Sequence, residues 1–340
     1  MRRLLWWLFW VGVLLVGITV SARAWVSRQS HSRERLFQFS YTASVTDLPA
    51  QASEVRIWVP LAKTRDNQRI LSRQVQTRYP YEIHEEPVFG NDILYMALRA
   101  PIPPRVDITI DYDASVRSGY RLRSRRLFAT SQGVASADEL APALRDEPFM
   151  VVNEVIKRLA TEATMGHTTD LARTRAIYDH VIRHMSYDKT TPGWGQGDTL
   201  RACLLGKGNC TDFHSLFISM ARSIGIPARF VIGATIPQGP EGEIPGYHCW
   251  AEVHLHEYGW VPVDASEAWK HPDLREYYFG VLDPNKLLIS AGRNIRLVPA
   301  QAGSLINIFI DPYVEVDGRS FGAVETRFRF RDHQHKEARI

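Results

Sequence analysis

The sequence predicts an α+β protein: helices packed on an antiparallel sheet, preceded by an all-β, sandwich-like domain. Three observations predict it. From Leu36 to about Leu127 apolar residues alternate in short runs broken by turn signals. From Pro148 to Ile224 the apolar spacing lengthens to that of helices. From Tyr247 to Asp264 alternation returns, in two runs joined by the polar turn His256-Glu257-Tyr258-Gly259, the pattern of a hairpin. A length of 340 residues allows two or three domains, and 45% hydrophobic content is ample for their cores.

Taken in order, the chain divides into a leader (1–24), a linker (25–35), the β-rich domain (36–128), a mixed domain (148–300) and a β-rich C-terminal extension and tail (301–340). Leu4 to Ala22 carry no charge and follow Arg2 and Arg3, which reads as an export signal or a single membrane anchor. Ala22-Arg23-Ala24 resembles a small-x-small cleavage site. An exported, periplasmic or otherwise extracytoplasmic protein is expected, with membrane association through 4–22 if the segment stays. The formal charge of +4 is concentrated at this end: six arginines and one acid through Arg35 leave 35 basic and 36 acidic residues beyond it. No basic domain points to nucleic acid.

In the β-rich domain Phe37, Phe39, Tyr41, Ala43 and Val45 alternate, as do Val55, Ile57 and Val59, and later Ile108, Ile110 and Tyr112. His84, Glu85 and Glu86 are sequential rather than convergent and read as an exposed strand end, not a metal site. Pro148–Met165 and Thr169–Met185 read as helices, and Tyr187–Thr199 as a Gly-, Asp- and Thr-rich loop.

Gly206-Lys207-Gly208-Asn209-Cys210 then opens a further helix, with Phe213, Leu216, Phe217, Met220, Ala221 and Ile224 on one face and Gly225 and Pro227 as the stop. Cys210 thus sits where unpaired backbone N–H groups and the helix dipole favour a thiolate. A buried, inert thiol is the other reading of such a cysteine. Downstream, His248 lies on one strand of the hairpin and Asp264 ends the next, within a few residues in register. A cysteine, a histidine and an aspartate so placed can supply nucleophile, base and orienting group. Cys249 alternates to the face opposite His248 and reads as core. His214, one turn after Cys210, reads as a packing or capping residue.

The order Gly-Asn-Cys210-Thr-Asp-Phe, Gly-Ile-Pro-Ala-Arg229, His248-Cys-Trp-Ala-Glu252-Val and Gly-Trp260-Val-Pro-Val-Asp264 resembles the transglutaminase-like superfamily, and Asp264-Ala-Ser-Glu-Ala and Tyr278-Phe-Gly resemble its bacterial, exported members. The resemblance covers roughly 171–298. It implies a papain-like core, with Cys210 as nucleophile, His248 as base and Asp264 as orienter, and no cofactor. In related enzymes an indole N–H donates to the oxyanion, which makes Trp194, and with it Tyr187, candidates for that role; packed loop aromatics are the alternative. The superfamily includes cross-linking enzymes, peptidases, amidases and inactive relatives. The expected activity is hydrolysis of a peptide or carboxamide through a thioester, against cross-linking of protein glutamines to amines or a non-catalytic binding module. The substrate expected is a peptide or protein.

Cross-linking requires an apolar channel that admits an amine and excludes water, for which Trp194, Trp250 and Trp260 are the candidate walls. The Gly/Pro-rich stretch Thr235–Gly246 is expected to be a flap over the site. Short strands are expected at Ile295–Val298, Leu305–Ile310 and Val324–Phe330, with a polar tail from Arg331. The three cysteines, Cys203, Cys210 and Cys249, lack zinc-ligand spacing, and Cys203 has either other as a potential disulfide partner.

Overall fold

A computed structural model describes residues 34–65, 67–123 and 135–333; the apolar segment 4–22 and the tail 334–340 lie outside them. Strands β1 (Glu34–Val45), β2 (Glu54–Leu61), β3 (Gln68–Gln76), β4 (Glu82–Glu85), β5 (Asp92–Arg99), β6 (Val106–Arg117) and β7 (Gly119–Tyr120) come first. They are followed by α1 (Ala137–Leu140), α2 (Glu154–Ala163), α3 (Asp170–His184), β8 (Ser186–Tyr187), α4 (Thr199–Leu205), β9 (Lys207–Gly208) and α5 (Cys210–Ser223). Then come β10 (Ala228–Thr235), β11 (Glu241–Ile244), β12 (His248–Leu255), β13 (Gly259–Val263), α6 (Ala265–Lys270), β14 (Val281–Leu282) and β15 (Lys286–Ala291). The last strands are β16 (Tyr313–Val316), β17 (Arg319–Ser320) and β18 (Val324–Asp332).

Two five-stranded sheets, ordered β11-β18-β1-β6-β3 and β17-β16-β2-β5-β4, form the sandwich. Phe37, Phe39, Tyr41 and Ala43 of β1 share one core with Val55, Ile57 and Val59 of β2. Burying each of the larger side chains contributes about 1.5–3 kcal/mol. β16, β17 and β18, from the segment expected as a C-terminal extension, belong to these sheets: β18 pairs along β1 from Phe37↔Asp332 to Val45↔Val324. Of the strands expected near 295–310, only an isolated bridge, Ile295↔Ile306, forms. Arg331 and Asp332, expected in a loose tail, are part of β18.

The stretch expected as a flap is fastened to the same sandwich. β11 adds to β18 from Glu241↔Arg331 to Ile244↔Phe328. Arg331 and Arg329 pair with Glu241 and Glu243 at 2.9 and 2.8 Å, and Ile236 and Ile244 are buried. Opposite charges facing across an antiparallel pair support the register. Near His84 the strand end is exposed as expected, except at Glu86. That side chain is buried and accepts the N–H groups of Val88, Phe89 and Asn91 at 2.8, 2.9 and 3.2 Å.

The second layer is an antiparallel sheet, β13-β12-β10-β15, with helices packed on it. Helix α5 is buried from Cys210 through Arg222, rather than on one face only. Its polar side chains are absorbed locally: the Ser215 hydroxyl donates to the Thr211 carbonyl at 2.8 Å, and Ser219 bonds Thr199 at 2.8 Å. Among the described residues no helix is long and apolar enough to cross a membrane, and no group of three or more His, Cys, Asp or Glu could hold a metal ion.

Candidate active site

The site is assembled around the start of α5. Helix α4, which the sequence does not announce, ends at Gly206 with φ 59°; a Cβ there would lie 2.8 Å from the His184 carbonyl oxygen, so only glycine fits. β9 then pairs in parallel with β8, bringing Tyr187 alongside Gly208. A Cβ on Gly208 would fall 2.2 Å from Asp212 Oδ2. That carboxylate accepts the N–H groups of Asn209 at 2.9 Å and of Gly195 at 2.8 Å, while Oδ1 accepts that of Gly197 at 3.1 Å. Asp212 therefore ties the 193–197 loop to the helix start. Asn209 Oδ1 accepts the Thr211 N–H at 2.9 Å, completing a capping box. Cys210 is the first helical residue, 3% exposed, where the helix leaves backbone N–H groups unpaired.

His248 opens β12 opposite Gly233 of β10. Ala251 pairs with Val263 on β13, so in strict register Asp264 would stand opposite Trp250. The offset is closed because Asp264 has left the strand to cap α6: its Oδ1 accepts the Glu267 N–H at 2.9 Å and the Ser266 hydroxyl at 3.0 Å. Oδ2 accepts His248 Nε2–H at 2.7 Å. With Nε2 committed, Nδ1 is the ring nitrogen left for the Cys210 thiol, with which His248 also hydrogen-bonds.

The electrostatics favour a charged pair. Cys210 is held well below the ordinary thiol range: the Cys249 thiol hydrogen-bonds to it, and the bond to His248 and its charge add, against the opposing effect of burial. Burial disfavours charge on His248, but Asp264's charge and hydrogen bond outweigh it and raise the imidazole to about 9. Asp264 is buried, yet Lys286 and His248 hold it well below the usual carboxylate range. Burial and the bond to Cys210 push Cys249 well above the ordinary thiol value, so it stays protonated. These shifts favour the charged forms of Cys210, His248 and Asp264, which lie next to one another.

Three partners escape the sequence reading. Lys286, 5% exposed at the start of β15, donates from Nζ to Asp264 Oδ2. Its signal was present: a lone lysine opening the apolar run Lys-Leu-Leu-Ile. Cys249, expected as core on the face opposite His248, is buried, but its sulfur meets the Thr211 hydroxyl at 3.7 Å and His214 Nδ1 at 3.8 Å, next to Cys210. Tyr247 bonds Asn209 Nδ2 through its hydroxyl at 3.3 Å. His214 packs: Nε2 accepts the Ala265 N–H at 3.1 Å, and burial lowers it to about 4, keeping it neutral.

Of the oxyanion candidates, Tyr187 is half-buried, stacked on Trp269 at 6.5 Å, and close enough to Cys210 to feel its charge. Trp194 is 38% exposed on the 193–197 loop, with the Lys189 ammonium 5.9 Å from its ring. Trp250 and Trp260 line a cavity with Arg229 and Glu252, and the Trp250 ring also lies 6.2 Å from that of His248. All three cysteines are free thiols.

Residues 157–265 match the family model of the transglutaminase-like superfamily, a span that includes Cys210, His248 and Asp264. The chain is 23% identical over 333 residues to an uncharacterized protein of Haemophilus influenzae, covering 87% of this chain and 90% of that protein. It is 25% identical over 179 residues to the uncharacterized protein YebA of Bacillus subtilis, covering 48% of this chain and 24% of YebA. Among solved structures it is similar to a "Putative Cysteine Protease" from Cytophaga hutchinsonii, with TM-score 0.57 and 15% identity over 88% of this chain and 92% of that one. At that identity the likeness is one of fold.

Proposed function

Because residues 157–265 form a transglutaminase-like domain, we propose that this chain performs thiol-dependent acyl transfer on peptide or carboxamide bonds, with hydrolysis as the main outcome. The observation that carries the reading is the buried contact of Cys210 with His248, itself bonded to Asp264 at 2.7 Å. The Cys210 thiolate attacks the carbonyl carbon. The Cys210 backbone N–H and a second donor, for which Tyr187 and Trp194 are the candidates, hold the resulting oxyanion. The imidazolium gives its proton to the departing amine, leaving a thioester and neutral His248. His248 then takes a proton from water, whose oxygen attacks the thioester. Collapse of that intermediate releases the acid and returns the proton to the site. Asp264 keeps the ring oriented and stabilises its charge. The substrate is a peptide or protein, and the apolar segment 4–22 supports export, with or without retention in the membrane.

Hydrolysis is favoured over cross-linking by where the aromatic side chains lie. An amine must outcompete water at about 55 M for the thioester, which demands a dry, oriented channel. Of the three tryptophans available as its walls, Trp260 lines the other cavity and Trp194 is 38% exposed, which leaves only Trp250, its ring 6.2 Å from that of His248, beside the site. The expected result, with peptide and glutamine donors assayed beside a dansylated amine, is Cys210-dependent release of free acid in excess of amine incorporation. Efficient labelling with little acid release would make cross-linking the main activity. No turnover of either kind, with Cys210 unreactive, would favour the binding-module reading.

A further inference from the structure

The alternation that turns Cys249 toward α5 turns Trp250 and Glu252 to the other face of the sheet. There a cavity of about 230 Å³ is lined by Arg65, Arg121, Arg229, Lys286, Glu252 and Trp250, among others. Its described lining thus holds four cationic side chains and one carboxylate; Asp66, next to Arg65, lies outside the described residues. The carboxylate is already engaged, since Glu252 pairs with Arg229 at 2.6 Å, and the Arg229 guanidinium lies 4.0 Å over the Trp260 ring. Lys286 is likewise bonded to Asp264. Two lining donors have no hydrogen-bond partner among the described residues: Trp250 Nε1, on a side chain 1% exposed, and Arg65 Nε, on a guanidinium whose Nη2 donates to Asn91 Oδ1 at 3.2 Å; both atoms are buried.

Indole and guanidinium nitrogens donate and cannot accept, so they cannot satisfy one another. What completes them is an acceptor, and Glu252, the one carboxylate in the described lining, is already paired with Arg229. The volume is below that of a pocket for a drug-sized ligand, which fits a small group. We propose that this cavity binds a small oxyanion, a carboxylate or phosphate group, held by Arg65 and the indole N–H of Trp250. Cys210, His248 and Asp264 do not line the cavity, which adjoins them through Trp250, its ring 6.2 Å from that of His248, and the proposal does not rest on the proposed reaction. Lys286 belongs to both, bonding Asp264 while lining the cavity.

The test is calorimetric titration of the full-length chain with sodium phosphate and, separately, sodium succinate, against sodium chloride at matched ionic strength. Saturable binding of at least one anion, absent with chloride, is expected, and Arg65→Ala should weaken it at least about tenfold. Tighter phosphate binding identifies a phosphate group as the natural ligand chemistry, and tighter succinate binding a carboxylate. Trp250→Phe, which keeps the ring and removes the N–H, should also weaken binding, and it decides the matter if Arg65→Ala does not fold. Failure of both anions to bind beyond chloride would mean that the cavity holds water only and overturn the proposal. So would wild-type affinity in a folded Arg65→Ala, or in Trp250→Phe where that variant decides.

Discussion

Cys210→Ala is expected to reduce acid release from a peptide or amide donor by at least about 10⁴-fold, because the one thiol beside it, Cys249, is fully buried and its sulfur meets Thr211 and His214 rather than His248. The fold should survive. The helix start is set by Asn209 and Asp212, whose capping bonds do not involve the Cys210 side chain. Removing one buried sulfur should cost about 1 kcal/mol of stability. Thermal unfolding and turnover measured on the same preparation separate the two. Activity within tenfold of wild type would remove Cys210 from the chemistry.

Asp264→Ala is expected to damage stability and activity together, because one carboxylate serves both. It caps α6 through the Glu267 N–H, a contribution of about 1 kcal/mol. It is also the countercharge of Lys286, which is 5% exposed; leaving that ammonium buried and unpaired costs about 3 kcal/mol or more. A total loss near 4 kcal/mol is therefore expected, with turnover down roughly 10³-fold as His248 loses its orienting group. Adding Lys286→Met to Asp264→Ala should restore about half of the stability and none of the activity, since it removes the stranded charge and not the defect at His248. Denaturant unfolding of the two single variants and the double variant reads this cycle directly. Strict additivity of Lys286→Met and Asp264→Ala would show that the two groups are not coupled.

Much of this site was legible in the chain because its elements are local. The Gly-Asn-Cys210 start and the His248 hairpin lie within stretches whose spacing fixes their own conformation. The approach of Asp264 to His248 was left open by register and is closed by a helix cap, a device readable only once Ala265–Lys270 is seen as helical. What the sequence hid depends on partners far along the chain. β11 becomes an edge strand because β18, about 90 residues later, offers arginines to its glutamates. Lys286 is a surface-type residue until β15 carries it inward to Asp264. Burial of α5 on all sides was obscured by Thr211, Ser215 and Ser219, which look solvent-facing but satisfy their hydroxyls within the core or on the helix backbone.

The central claim is that Cys210 and His248 form a thiolate–imidazolium pair. Its stabilising contribution through His248, whose value is raised to about 9 in the fold, is complete below the ordinary histidine value near 6.5 and is lost as pH rises through about 9. The direct measurement is the iodoacetamide alkylation rate of each cysteine, mapped by peptide mass from about pH 5 to 10. Cys210 should react fastest at neutral pH and keep reacting as pH falls well below the free-thiol range near 8.5. Cys203, raised by burial, and Cys249, raised by burial and its bond to Cys210, should lag. Cys249→Ala, which removes the thiol bonded to Cys210, should move the Cys210 profile toward higher pH. A Cys210 rate that climbs only near pH 8.5, or Cys203 labelled ahead of it, would contradict the ion pair.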